Sequence, residues 1–213
     1  MTRAPAWLFV VGAVVFWIGA FSPPWRQWMA PLEEAHAVIG KHRLAWHFIN
    51  GCLGLGSVVT AAAFVLHAHA TNASNAKAWA ALAAVSYTVA VTVFLVNLAF
   101  RHTVQVWAAD AVLQTAEVPT GYVAWHRFAG LLFGIYCVLA YAAVAALGAS
   151  LLESPQPPHW IGWGNLFGGL LLAALMLGDL PPANMPLMVH LGPGLAGLLV
   201  LLRTLPSVPL GGS

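Results

Sequence analysis

The sequence predicts an all-α polytopic membrane protein: one transmembrane domain over residues 1–213, a bundle of six transmembrane helices with two longer interfacial loops. Two observations carry this expectation. Hydrophobic residues make up 61% of the chain and charged residues only 7%, with a mean hydropathy of +0.82. A soluble domain carries about 25% charged residues, so this chain lacks the polar surface to face water and suits lipid instead. The apolar residues also gather in long runs. A spanning helix needs roughly 20 of them, because each rises about 1.5 Å across a hydrocarbon core of about 30 Å.

Six runs meet or approach that length, at 5–22, 44–69, 78–100, 123–152, 160–178 and 184–203. The first follows Arg3 and lacks a small-x-small cleavage site at Phe21-Ser22-Pro23-Pro24, so it reads as a retained span. Ser22-Pro23-Pro24 ends it, and Thr71-Asn72-Ala73-Ser74-Asn75 separates the second run from the third. Pro155-Gln156-Pro157-Pro158 and Asp179-Leu180-Pro181-Pro182 end the fourth and fifth. The fifth and sixth are short and interrupted by Gly and Pro. No internal repeat is visible. Cys52 and Cys137 lie inside apolar runs and read as buried thiols.

Two connections exceed a turn. Residues 24–43 carry Trp25, Trp28, Glu33, Glu34 and Lys41, and residues 101–122 carry Trp107, Asp110 and Glu117. Each has the composition of a short interfacial helix with Trp at headgroup depth. Six spans place these loops and the Asp179 turn on one side, face B, and both termini on the other, face A. Face B holds five Lys/Arg (Arg26, Lys41, Arg43, Arg101, Arg127) against three on face A, a weak lean towards a cytoplasmic face B. Gly164 and Gly168, and the stripe Ala142, Ala146 and Ser150, have the spacing of close helix contacts. Packing within the bundle and a dimer face both fit them.

The polar residues concentrate on face B. Six of nine histidines (His36, His42, His47, His102, His126, His190) fall there or just below it. The candidate site is His47, Asn50, Asn97, Arg101, His126 and His190, delivered by four spans. Asn97 and Arg101 are four apart and share a helix face; His47 and Asn50 are three apart and share another. Gly192-Pro193-Gly194 interrupts the last span just after His190. Polar groups at membrane depth usually face the bundle interior or a wet cavity, while snorkelling, capping and ion pairing explain them more simply. For Arg101 the expected partner is Asp110, then Asp179, because a guanidinium stays charged.

Imidazole also ligates metal and haem. No CxxC or HxxxH pair supports zinc, and His67-Ala68-His69 does not place both rings on one helix face. A haem b held between His47 and His126 stays open. No nucleophile motif, magnesium-binding acid pair or phosphate loop is present. Tyr136, Cys137 and Tyr141 read as packing residues. A net charge of +2 without a basic tract excludes a nucleic-acid partner. The lipid bilayer is the one partner composition dictates, with a membrane-protein partner or homo-oligomer as further candidates.

The segment Phe100-Arg101-His102-Thr103-Val104-Gln105-Val106-Trp107-Ala108-Ala109-Asp110 resembles part of a group of uncharacterised bacterial multi-pass membrane proteins. So do Trp125-His126-Arg127-Phe128-Ala129-Gly130-Leu131-Leu132-Phe133, Gly162-Trp163 and His190, with the similarity running from Leu44 to Arg203. The resemblance implies six spans in a bacterial inner membrane and brings no activity. Three functional readings therefore stand: a non-enzymatic subunit or accessory protein, a binding or transport protein for a small solute or lipid, and a haem- or metal-binding protein.

Overall fold

A computed structural model describes residues 1–23, 30–154, 157–178 and 187–204. These form eight helices: α1 (Arg3–Phe21), α2 (Leu32–Lys41), α3 (Arg43–Ala70), α4 (Ser74–His102), α5 (Val104–Thr115), α6 (Tyr122–Leu152), α7 (His159–Leu177) and α8 (Leu187–Thr204). No strand occurs among the described residues. Five helices are long and apolar enough to cross a membrane: α1, α3, α4 (which the apolar span continues into α5), α6 and α7. The apolar part of α8 is shorter, so six spans is an approximate count. The chain is a multi-pass integral membrane protein, with large side chains such as Trp7, Leu55, Val85, Leu131 and Leu171 exposed to lipid.

The helices start one to four residues before the sequence-based runs, except that α8 starts at Leu187; α1 and α7 stop one residue short of theirs and α6 ends with its run. Residues 184–186 of the sixth run lie outside the described residues, as do Trp25, Arg26, Trp28 and Asp179. Both long connections contain a helix, α2 and α5, and these pack on each other. Pro193 does not interrupt α8, which runs through it. Its ring nitrogen has no hydrogen to offer the Val189 carbonyl, and the flanking turns hold the helix.

The bundle is ordered by neighbours: α7 on α6, α6 on α4, α4 on α3, α3 on α1, and α1 on α8. Backbones approach closely where a side chain cannot fit. A Cβ on Gly56 of α3 would lie 2.6 Å from the Phe16 nitrogen of α1, and one on Gly148 of α6 would lie 2.3 Å from the Leu166 nitrogen of α7. In lipid such approach is the main attraction between helices. Gly164 and Gly168 play no such part: a Cβ there meets nothing within 4 Å. In the proposed small stripe, Ala146 and Ser150 are buried and Ala142 is exposed. Aromatic rings fill the centre, with Phe9 edge-on to Phe64 at 5.0 Å and Phe94 stacked on Tyr136 at 4.3 Å. Arg3 of α1 donates to the Thr204 carbonyl at the end of α8, so the first and last described helix ends share face A.

Candidate functional site

The site is built on α2, which the sequence specifies locally. Glu33 and Glu34 in its first turn and Lys41 in its last suit the helix dipole. Leu32, Ala35, His36 and Ile39 recur at helical spacing, and Ala35, His36 and Ile39 are buried. Gly40 lets α5 close in, since a Cβ there would lie 2.6 Å from Leu113 Cδ1. Arg43, just past α2, pairs with Asp110 of α5 on the exposed surface. The α2–α5 pair thus lies across the face-B end of the bundle.

Between α2, α4, the start of α5 and α6 is a cavity of about 410 Å³. Its polar walls are His36, Asn97, Arg101, Gln105 and His126; its apolar walls include Leu32, Phe100, Ala129 and Phe133. Among the described residues no Asp or Glu lines it. The Arg101 guanidinium lies over the Phe133 ring, 5.8 Å from its centroid. His126 and Gly130 are exposed, so the cavity opens along α6. A Cβ on Gly130 meets nothing within 4 Å.

Two fully buried walls carry an unpartnered atom. Asn97 Nδ2 donates to the Ala129 carbonyl at 2.8 Å, which leaves Asn97 Oδ1 without a partner. His36 Nδ1 lies 2.6 Å from the Leu32 carbonyl. A carbonyl only accepts, so Nδ1 carries the hydrogen, and Nε2 is left unpartnered. Burial holds the His36 pKa below 6.5; the Leu32 carbonyl opposes this, His126 adds to it, and Glu33 opposes it. Neutral His36 presents Nε2 as a lone pair. The Tyr122 ring stands edge-on to His36 at 4.6 Å, and its buried hydroxyl is also unpartnered.

Of the six residues picked from sequence, Asn97, Arg101 and His126 line this cavity, and His47, Asn50 and His190 do not. His47 follows Trp46 on α3, whose Nε1 donates to the Arg101 carbonyl at 3.1 Å. His47 stacks on His102 with Nδ1 to Nδ1 at 2.6 Å, so one imidazole donates and the other accepts. It is thereby engaged apart from the cavity that His126 lines. Asn50 is buried, and its Nδ2 donates back to the Trp46 carbonyl at 2.8 Å. The expected Arg101–Asp110 pair does not form, because Asp110 takes Arg43, which α5 brings alongside it. Asp179 lies outside the described residues.

His190 lies inside the bundle, apart from the face-B cavity. Its ring stacks on Phe16 at 4.0 Å, with Nδ1 3.2 Å from Thr60 Oγ1 and Nε2 3.4 Å from the Tyr87 hydroxyl. The packing of α8 on α1 sets this depth: Phe16 lies thirteen residues past Arg3 and five before Phe21. Ser57 Oγ and Tyr136 OH, also buried, sit beside the Tyr87 hydroxyl.

His36 and Gln105 are the site residues that span-by-span reading missed. The signal for His36 was its position on the apolar stripe of α2, where a polar residue is out of place. Gln105 became visible only once α5 was seen to begin at Val104. Among the described residues no three His, Cys, Asp or Glu side chains are grouped to hold a metal ion. No protein-family profile matches the chain, and neither any curated protein nor any solved structure does.

Proposed function

We propose that the protein binds a small amphiphilic molecule in the face-B cavity. One observation carries this reading: a space of about 410 Å³ is bordered by Asn97, Arg101, Gln105 and His126 together with Phe100 and Phe133. The volume falls in the usual range for small-molecule sites of roughly 300–1,000 Å³. Mixed apolar and polar walls, open along a lipid-facing helix, suit a molecule that has both an apolar body and a polar head. Reversible uptake and release at one face would serve either storage or transport of that molecule.

The Gly130→Leu variant tests this. Leucine at that position extends into open space at the cavity wall without removing a polar group. The wild-type protein, released from its membrane and examined by native mass spectrometry, should retain a small bound molecule. Gly130→Leu should retain at least tenfold less while keeping its helical circular dichroism. Equal occupancy in both proteins would place any bound molecule elsewhere and remove the reading.

A further inference from the structure

We infer that His47 and His102 form a catch between the face-B ends of α3 and α4, closed at neutral pH and released when both rings are protonated. This goes beyond the cavity reading and stands whether or not the cavity holds a ligand. The two rings are parallel to within 1°, with centroids 4.9 Å apart, and their Nδ1 atoms meet at 2.6 Å. Two nitrogens that close hold one hydrogen between them. In the neutral pair one Nδ1 donates and the other accepts. A first added proton goes to Nε2 of the donating ring, and the bond persists with a charged donor. A second proton has only the accepting Nδ1 to occupy. Two N–H groups then face each other on two like charges, and the bond is gone. Both rings are half-buried, so protons reach them from the face-B side.

The surroundings do not hold a doubly charged pair together. Among the described residues neither ring is bonded to a carboxylate, and Asp110 of α5 is taken by Arg43, one turn before His47 on α3. Lys41 and His42 lie at the joint of α2 with α3, Arg101 beside His102 on α4, and His126 and Arg127 on α6. The acids Glu33, Glu34 and Glu117 belong to the ends of α2 and α5 remote from these joints. The catch also sits where release has an effect. Trp46 binds the Arg101 carbonyl and His47 binds His102, so two successive residues of each helix tie the same turns. His102 ends α4 one residue before α5 begins, and Arg101 and Gln105 on either side line the cavity. Release therefore loosens that wall.

Spin-label distances read the catch in the full-length protein in detergent, with Cys52 and Cys137 replaced by alanine. Leu44→Cys and Ala99→Cys carry labels near the face-B ends of α3 and α4, and Leu66→Cys and Trp79→Cys near the face-A ends; all four positions are exposed. The titration runs from pH 7.5 to pH 4.5, across the ordinary imidazole value of about 6.5. The face-B distance should lengthen reversibly by about 2 Å, the scale of a helix shift at an interface, while the face-A distance stays fixed. His102→Asn and His47→Asn should each abolish the shift, because an amide accepts from a protonated imidazole and donates to a neutral one. Either variant suffices if the other does not fold. His36→Phe should keep the shift. A wild-type distance that does not move, a shift that survives either asparagine, or one lost in His36→Phe overturns the inference. Equal lengthening at both faces, which marks general loosening in acid, overturns it too.

Discussion

His190 shows how a single side chain can be polar, deeply buried and structural. Each ring nitrogen has a hydroxyl partner, Thr60 on one side and Tyr87 on the other, and the Phe16 ring covers a face. In a neutral imidazole one nitrogen donates and the other accepts, so the two hydroxyls take opposite roles. Replacing it with alanine would remove the ring contacts and both of its hydrogen bonds in a dry interior. His190→Ala should therefore cost about 2–4 kcal/mol, read as a lowered thermal midpoint in detergent. Ligand occupancy of the face-B cavity should stay unchanged in the fraction that remains folded. A normal midpoint with lost occupancy would instead move the site to His190. The sequence could not tell this histidine from the cavity residues: each appears as an imidazole or amide near the end of an apolar run. Its surroundings are set by the packing of α8 on α1, a fact of tertiary structure. The same limit hid the Arg43–Asp110 pair. Sequence distance favoured Arg101 for Asp110, but the packing of α5 on α2 brings Arg43 to it.

Among the elements, α2 is the one whose attachment should depend on pH. Its buried His36 has a pKa held below 6.5 mainly by burial. The unfolded or undocked chain therefore binds a proton more readily than the docked helix does. Stability falls as pH drops from 6.5 through the lowered value, and above 6.5 the contribution is level. His126 and Glu33 act on the same ring with opposite signs. The thermal midpoint of the wild type should thus decline between pH 7 and pH 5. His36→Phe should show a shallower decline, and identical slopes would mean that His36 protonates without disturbing α2. The existence of α2 was legible in the sequence, because acids open it, a lysine closes it and its apolar residues keep helical spacing. Its position over α4 and α6 was not, because that follows from the close packing of Gly40 on α5.

For the whole molecule, the composition and the lengths of the apolar runs determined the architecture almost unaided. Lipid requires every backbone group to be satisfied within its own helix, so long apolar runs have one fold available. Helix partners are harder to read. Gly164 and Gly168 match the pattern for close contact yet face open space, whereas Gly56, Gly148 and Gly169 make the contacts. The contact between Arg3 and Thr204 gives a further expectation. Short tags at the two ends of the chain should be labelled by an impermeant reagent from the same side of the membrane; labelling from opposite sides would contradict the placement of α8.

The joints of the α2–α5 pair have a mechanical consequence. A single residue, His42, both closes α2 and opens α3, and a single residue, Thr103, does the same for α4 and α5. Such one-residue elbows absorb rotation but little translation. Because Gly40 seats α5 directly on α2, the two short helices behave as one plate. With both joints a single residue long, a displacement of α3 or α4 is handed directly to the α2–α5 pair that borders the cavity.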